Sequence, residues 1–253
     1  MRKLMSGLAA VMVFGLTFGA GETLAAGPPA SVATALADTA RPDKDRALDA
    51  SRHAAEIIAL SGLKPGGKAA DVFPGGGYYT RIFARVVGPK GKVYAVVPSE
   101  AAEKPYKPLE PMKALAAEPA FANVEPLVQP MKAFDPPQKL DLVFISQFYH
   151  DMHNADYGGP DIASVNRAVF GALKPGGVYL VIDHSAPDTG LAATNTLHRI
   201  DMEAVKSEVL AAGFVLDATS EVLANPADPH TANVFDPSIR GKTDQFVLKF
   251  RKP

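Results

Sequence analysis

Apolar and polar positions along the chain follow two alternating patterns. Short, nearly continuous apolar runs are typical of buried parallel strands, and other segments carry apolar residues every three or four positions, as helices do. Turn signals rich in glycine and proline separate the two kinds of segment. The pattern therefore predicts an α/β protein. The predicted strands lie at 68–72, 92–97, 124–128, 140–146, 178–182, 214–223 and 245–250.

Helices are predicted between most of these strands. The first runs from Asp43 to Gly62 and carries alanine, isoleucine and leucine on one side, with charged residues on the other. Asp201 is placed to cap a later helix with its own carboxylate, and Gly213 ends that helix. Further helices are predicted at 80–87, 112–117 and 161–173.

The last two predicted strands are joined by a long loop, Asn225 to Lys242, which is rich in proline and aspartate. A parallel crossover usually contains a helix, and this connection has no helical pattern. We therefore expect the last strand to be antiparallel in an otherwise parallel sheet.

A glycine-rich turn connects the first strand to the following helix. It reads Asp71-Val72-Phe73-Pro74-Gly75-Gly76-Gly77-Tyr78-Tyr79-Thr80. Without Cβ atoms, the backbone N–H groups of such a turn can approach a ligand closely, and the helix N-terminus adds free donors and a positive dipole end. The turn predicts a ligand-binding loop, although three glycines alone also fit an ordinary tight turn.

The first residues resemble an export signal. Arg2 and Lys3 precede an apolar run at 4–20, and small residues for cleavage follow at 24–26. Glycines interrupt this run, and it is shorter than the roughly 20 residues that span a bilayer, so cleavage is favoured over a stable membrane anchor. The expected organisation is a signal peptide at 1–26, a flexible lead-in at 27–42 and one domain at 43–253, in a periplasmic or secreted protein.

Composition narrows the classes of function. The chain has 253 residues, 47% of them hydrophobic and 21% charged, which suits one main globular domain. A net charge of -1 gives no broad basic surface for nucleic acid or anionic membrane. The chain has no cysteine, which excludes disulfides, thiolate catalysis and zinc-thiolate sites and suits an oxidising compartment.

Polar side chains follow two of the predicted strands at the point where each strand ends. His150 and Asp151 come after the fourth strand, and Asp183 and His184 end the fifth. Open α/β sheets bind ligands at the carboxyl ends of their strands, so these groups are candidates for acid–base chemistry.

The strand-end histidines have two functional interpretations. His184 can act as a general base oriented by a carboxylate, or His150, Asp183 and His184 can together hold a divalent metal ion. The chain contains no H-x-x-x-H or H-E-x-x-H spacing, so we predict no metal ligands. For His198 to Asp201 we expect a capping and salt-bridge cluster.

The order of these parts resembles the class I S-adenosylmethionine-dependent methyltransferases. Leu173-Lys174-Pro175-Gly176-Gly177 looks like the L-K-P-G-G segment of that superfamily, and the resemblance covers roughly Asp43 to Lys252. It is strongest to predicted exported methyltransferase-like proteins. The resemblance implies a doubly wound, Rossmann-like, seven-stranded and mostly parallel sheet, with S-adenosylmethionine as cofactor and a small-molecule substrate.

The resemblance also implies roles for individual residues. In the superfamily motif D/E-x-G-x-G-x-G, Asp71, Gly75 and Gly77 match, and Phe73 stands at the first glycine. Where an acidic residue usually ends the second strand, the nearest candidate is Glu100. The expected cofactor contacts are Asp71, Phe73, Gly75, Gly76, Gly77, Tyr79, Glu100 and Gln147, and the expected catalytic residues are His150, Asp151, Asp183 and His184.

Two other functions stay open at this point. A protein with this fold that has lost the methyl donor can bind another nucleotide-like or aromatic ligand in the same cleft. A metal-dependent enzyme can instead use the strand-end histidines.

Overall fold

A computed structural model describes residues 28–154, 157, 159 and 161–253. Its centre is a seven-stranded sheet with the strand order β3-β2-β1-β4-β5-β7-β6. The predicted signal peptide lies outside the described residues. The strands are β1 (Lys68–Val72), β2 (Lys92–Pro98), β3 (Val124–Gln129), β4 (Leu140–Ser146), β5 (Leu173–His184), β6 (Val215–Ser220) and β7 (Gln245–Arg251).

Helices cover both faces of the sheet, so the sheet is doubly wound as predicted. One apolar core lies between the sheet and α1, α3, α4 and α6, and the other lies under α7 and α9. In the part of the chain that the structure describes, no helix combines the length and apolar character needed to cross a membrane. The helices are α1 (Ala30–Leu36), α2 (Asp43–Arg46), α3 (Ala54–Ser61), α4 (Tyr78–Val87), α5 (Ser99–Ala102), α6 (Glu110–Ala117), α7 (Ile162–Ala172), α8 (Thr194–Leu197) and α9 (Met202–Ala211).

Strand pairing confirms the predicted fold class. The strands β3, β2, β1, β4 and β5 pair in parallel, with β1 between β2 and β4. Strand β7 pairs antiparallel with both β5 and β6, as expected from the helix-free connection before it. Because β1 and β4 are neighbours and parallel, the two loops that follow them meet at the same edge of the sheet.

The segment at 27–42, predicted as a flexible lead-in, contains the helix α1. Its Val32 and Ala35 are buried, and the helix packs against α3 and α4. The sequence signal was weak because small alanines give little periodicity, yet they allow close packing once a neighbouring helix is present.

The single helix predicted from Asp43 to Gly62 is interrupted in the structure. Residues 47–53 form turns between α2 and α3, and His53 takes a left-handed φ of 44°. Within these turns, Asp49 accepts hydrogen bonds from the Arg41 guanidinium at 2.6 Å and from the Tyr78 hydroxyl at 2.7 Å. These contacts draw the segment towards the glycine loop and replace the continuous helix that local periodicity favours.

Strand β5 begins earlier than predicted. Leu173 pairs with Leu140 and Val178 pairs with Leu142, so the glycine-rich turn at 174–177 forms an irregularity inside the paired region. Strand β6 is shorter than the predicted 214–223.

Candidate functional site

A cavity of about 630 Å³ lies at the carboxyl ends of β1 and β4. The glycine loop and the turn between α2 and α3 form one side of it, and the residues that follow β4 form the other. Its volume falls within the range of roughly 300–1,000 Å³ that ligand pockets occupy. Of the polar residues predicted at the strand ends, Asp151 borders this cavity, and the buried His150 and Asp183 lie behind it.

The glycines of the loop have two different roles. Gly75 and Gly76 border the cavity, and a Cβ atom at either position would meet no heavy atom within 4 Å. Gly77 has a φ of 82° at the start of α4, and a Cβ there would lie 2.8 Å from Cε of Met112. The first two glycines therefore leave backbone open to a ligand, and the left-handed backbone conformation at the third favours glycine.

Phe73 occupies a backbone conformation that favours glycine. Its φ is 56°, which for a bulky side chain costs on the order of 1–3 kcal/mol. Its ring stacks on Phe148 with centroids 4.2 Å apart and meets Tyr157 edge-on at 5.9 Å. The side chain thus becomes an aromatic wall of the cavity, and its packing offsets the strained backbone.

Asp71 links the start of the glycine loop to the first turn of α4. It borders the cavity but is buried, and its Oδ2 accepts a hydrogen bond from Oγ1 of Thr80 at 2.6 Å. Burial raises the pKa of Asp71 to about 7, although the bonds from Thr80 act in the opposite direction. Tyr79 is also buried at the cavity, and burial raises its pKa, which keeps the phenol neutral.

The two remaining predicted cofactor contacts lie apart from each other. Gln147 borders the cavity, and its Nε2 donates to Oε1 of Gln245 at 3.2 Å. Glu100 lies on α5 just after β2 and accepts a hydrogen bond from Ser99 at 3.2 Å. Glu100 is not among the described residues that border this cavity, and its role as the ribose acid stays a prediction.

Asp151 and His198 form the polar end of the cavity. Nδ1 of His198 lies 3.1 Å from Oδ1 of Asp151, and Nε2 of His150 lies 3.4 Å from the same oxygen. His150 is buried directly behind these two residues. We call His150, Asp151 and His198 the His–Asp–His cluster.

Asp183 orients His150 from inside the protein. Its Oδ1 lies 2.7 Å from Nδ1 of His150, and it also accepts the backbone N–H groups of His150 and His184, each at 2.8 Å. Burial opposes the charge of Asp183, but the facing His150 and these hydrogen bonds hold its pKa below the usual value. Burial likewise opposes a charge on His150, and the neighbouring Asp183 raises the pKa of the imidazole above its usual value.

His184 faces a different cavity from the one bordered by Asp151. Its Nδ1 lies 2.7 Å from Oγ1 of Thr243, and it borders an adjoining cavity of about 350 Å³ together with Gln147. Burial lowers the pKa of His184 to about 4, so the ring is neutral near pH 7. The His184 ring nevertheless lies 6.0 Å from the His150 ring, compared with 5.4 Å for the His198 ring, and the catalytic role of His184 stays a prediction.

Sequence reasoning assigned His198 to a capping and salt-bridge cluster, and part of that cluster exists. Arg199 forms a buried ion pair with Asp228 at 2.8 Å, and Asp201 caps α9 by accepting the N–H of Glu203 at 2.9 Å. His198 itself turns to Asp151. No local signal marks this contact, because 47 residues separate the two side chains.

An aromatic and cationic rim around the cavity was also missed. The Arg52 guanidinium lies 4.4 Å from the ring centroid of Tyr78. The hydroxyls of Tyr106 and Tyr157 lie 3.2 Å apart, and the Phe235 ring lies 5.0 Å from that of His198. Apart from Tyr78 at the start of α4, these residues lie outside the main helices and strands, where no periodicity indicates which way a side chain faces.

Comparisons with known proteins point in one direction. No family model matches the chain. It is 30% identical over 136 residues to the ubiquinone/menaquinone biosynthesis C-methyltransferase UbiE of Ectopseudomonas mendocina, covering 54% of this chain and 49% of that protein. The UbiE protein of Teredinibacter turnerae is 28% identical over 192 residues, which cover 76% of this chain and 67% of that protein. The chain thus spans about half the length of the first relative and two thirds of the second.

A solved structure of a SAM dependent methyltransferase from Aquifex aeolicus has a TM-score of 0.56 to this chain at 19% identity, covering 84% of this chain and 99% of that one. At this level of identity, the likeness shows a shared fold. It agrees with the strand order, the antiparallel β7 and the glycine loop after β1. These features show that the chain has the class I S-adenosylmethionine-dependent methyltransferase fold, and its sequence is similar to two proteins named as C-methyltransferases.

Proposed function

We propose that this protein is an S-adenosylmethionine-dependent methyltransferase that acts on a small-molecule acceptor in the periplasm. The observation that carries the proposal is the cavity at the carboxyl ends of β1 and β4, with an open glycine loop on one side and a polar cluster on the other. Both curated relatives carry the name of a C-methyltransferase.

The residues at the glycine loop fit the cofactor. The backbone at Gly75 and Gly76 is open to the cavity, and the N-terminus of α4 follows directly after it. Asp71 braces this loop, and Tyr79 and Gln147 border the same space. These residues would hold S-adenosylmethionine, which supplies an electrophilic methyl group on a sulfonium.

The opposite end of the cavity fits the acceptor. Methyl transfer needs an aligned acceptor, and an oxygen or nitrogen acceptor must also lose a proton. Asp151 borders the cavity, and His150 stands 3.4 Å behind it, oriented by Asp183. A proton that leaves the acceptor can therefore be held on this pair.

The size of the acceptor follows from the volume of the cavity. About 630 Å³ must accommodate both the donor and the group that is methylated, which leaves space for a small molecule. A net charge of -1 provides no broad attraction for a nucleic acid substrate.

The proposed location rests on the sequence. A positively charged start, an apolar run and small residues before Gly27 are typical of an export signal, and a chain without cysteine suits the periplasm. An enzyme in this location requires a supply of its methyl donor from the cytosol.

Binding of S-adenosylhomocysteine, the demethylated form of the donor, tests the proposed activity. Calorimetry with the purified protein is expected to show a single site with a Kd in the micromolar range or below. No heat of binding and no shift in Tm at millimolar ligand would reject the proposal.

Paired substitutions localise this binding. Gly76→Ala places a methyl group in the open space beside the loop and is expected to weaken S-adenosylhomocysteine binding about tenfold, equivalent to about 1.4 kcal/mol. Gly171→Ala is the matched control, because that glycine lies on α7 with equally open space and does not border the cavity. Glu100→Gln tests the predicted ribose acid, and an unchanged affinity would reject that role.

One observation favours a second candidate function, a ligand-binding protein without methyl transfer. Phe73 stands at the first glycine of the superfamily motif, and Tyr106, Tyr157 and Phe235 also border the cavity. These rings suit a flat aromatic ligand. Under this alternative, aromatic compounds raise the Tm of the protein and S-adenosylhomocysteine does not.

A further inference from the structure

The His–Asp–His cluster has the composition and spacing of a metal site. One ligand atom from each of its three residues can be chosen so that all lie within 4.8 Å of one another, and two of the separations are 3.1 Å and 3.4 Å. A tetrahedral ion with bonds of 2.0–2.1 Å keeps its ligand atoms about 3.3 Å apart. We propose that His150, Asp151 and His198 bind one divalent transition-metal ion at the polar end of the cavity.

The arrangement of hydrogen bonds around His150 supports this proposal. Nδ1 of His150 lies 2.7 Å from a carboxylate oxygen of the fully buried Asp183, so Nδ1 carries the hydrogen and donates it. In the neutral ring, Nε2 then carries the lone pair and lies 3.4 Å from Oδ1 of Asp151. This nitrogen and this oxygen can therefore coordinate the same ion.

Asp183 provides the outer support that metal-bound histidines usually have. A ligating imidazole commonly donates its second ring N–H to a carboxylate, which sets the tautomer and orients the ring. Asp183 does so for His150, and two backbone N–H groups, those of His150 and His184, hold Asp183 in place. The coordinating nitrogen of His150 is thereby directed to the side of Asp151.

The proposed ion would have free coordination positions on the side that faces the cavity. The side chains of Asp151 and His198 are 13% and 24% exposed and border the cavity, and His150 closes the inner side. Two imidazoles and one carboxylate are a donor set for Zn²⁺, Mn²⁺ or Fe²⁺ that leaves sites for water or a ligand. An ion there would bind an oxygen atom of the acceptor and lower its pKa.

The inference goes beyond the proposed function and does not depend on methyl transfer. With an ion bound, Nε2 of His150 is occupied, so the ion and a proton are alternatives at that nitrogen. Under the proposed methyl transfer, the acceptors that fit the site are molecules that offer an oxygen ligand to the ion.

Titration with Co²⁺ tests the site directly. The protein is purified without a histidine tag, treated with chelator and titrated with Co²⁺, and the visible absorption of the bound ion is recorded. One Co²⁺ per chain is expected, and Zn²⁺ is expected to displace it. Absence of a Co²⁺ spectrum, together with no heat on titration with Zn²⁺, would overturn the proposal.

Variants assign the ligands. Asp151→Asn and His198→Gln are expected to abolish the Co²⁺ spectrum, and Asp183→Asn is expected to weaken Co²⁺ binding about 10–100-fold through the misoriented His150. His153→Gln is the matched control, because His153 lies on the same short turn but pairs with Glu208 at 3.2 Å and does not border the cavity. Equal losses in His153→Gln and Asp151→Asn would contradict the assignment. Circular dichroism confirms that each variant is folded.

The two proposals fail separately. If the protein binds Co²⁺ at this cluster but does not bind S-adenosylhomocysteine, the metal site is supported and the methyltransferase proposal is rejected. If the protein binds S-adenosylhomocysteine but neither Co²⁺ nor Zn²⁺, the methyltransferase proposal is supported and the metal site is rejected.

Discussion

Burial of the Asp71 carboxyl group makes the stability of the protein depend on pH. Burial raises its pKa to about 7, from an ordinary value of 3.8. A pKa that is higher in the folded state means that the folded protein binds the proton more tightly than the unfolded chain. The stabilising contribution is therefore complete below about pH 4 and is lost as the pH rises to about 7.

The first prediction concerns Asp71→Asn. The amide oxygen can still accept the hydrogen bond from Thr80, but the side chain no longer titrates. Relative to this variant, the wild type is expected to lose up to about 1.4 kcal/mol of unfolding free energy per pH unit between pH 4 and pH 7. Urea denaturation of both proteins at several pH values measures the difference.

Asp188→Asn is the control for this experiment, because Asp188 is an exposed carboxylate. Its unfolding free energy should follow that of the wild type at every pH. If Asp71→Asn also follows the wild type, then the carboxyl group of Asp71 does not titrate in this window.

Individual site residues differ in how well the sequence predicts them. The positions of Asp151 and Asp183 follow from the apolar strands before them, because a strand end places its neighbours at the edge of the sheet. His198 is different, since its role depends on a left-handed φ of 53° and on a contact with a distant loop. Phe73 shows a further limit, because only the structure reveals that its ring stacks on Phe148.

At the scale of structural elements, a buried ion pair anchors the long loop at 225–242. Asp228 accepts two hydrogen bonds from the Arg199 guanidinium, at 2.8 Å and 3.1 Å, and both side chains are fully buried. Asp228 also accepts the N–H groups of His230 at 3.0 Å and Asp244 at 2.7 Å. One carboxylate thus joins both ends of the loop to the segment that carries His198.

Asp228→Ala is expected to lower the unfolding free energy by about 3–5 kcal/mol, because it leaves the Arg199 charge buried without its partner. Asp217→Ala removes a partly exposed pair with Lys249 and Arg251 and should cost no more than about 1 kcal/mol. Urea denaturation at constant pH compares the two variants. Similar losses of unfolding free energy in both variants would show that the buried Arg199 pair contributes no more to stability than the partly exposed pair.

The predicted elements agree with the structure where local pattern and tertiary packing favour the same conformation. Strands β1 and β4 have the bounds that their apolar runs predict. The first helix does not, because the bonds of Asp49 to Arg41 and Tyr78 favour turns over a continuous helix. Contacts between distant residues of this kind leave no periodic signal in the sequence.

At the scale of the whole molecule, the parallel core and the antiparallel β7 could be predicted from the order of elements. The strand order was not predicted, since no spacing in the chain states that β1 lies between β2 and β4. The edge of the sheet that carries the cavity was predicted, because open α/β sheets bind ligands at the carboxyl ends of their strands. The residues that border the cavity from other segments could not be predicted, because Arg52 and Phe235 are far apart in the chain.

Export is the prediction that concerns the whole chain. The protein recovered from the periplasmic fraction is expected to begin near Gly27, as measured by intact mass spectrometry. Val11→Arg interrupts the apolar run and should keep the uncleaved chain in the cytosol. A wild-type protein that begins at Met1 in the cytosolic fraction would contradict the proposed location.

The aromatic rim of the cavity also gives the molecule an optical property. The chain has seven tyrosines and no tryptophan. Four of the seven tyrosines border the cavity, namely Tyr78, Tyr79, Tyr106 and Tyr157. Ultraviolet emission from the protein therefore comes in large part from rings around the site, with no indole signal over it. Filling or emptying of the cavity can be followed by fluorescence in the unlabelled protein.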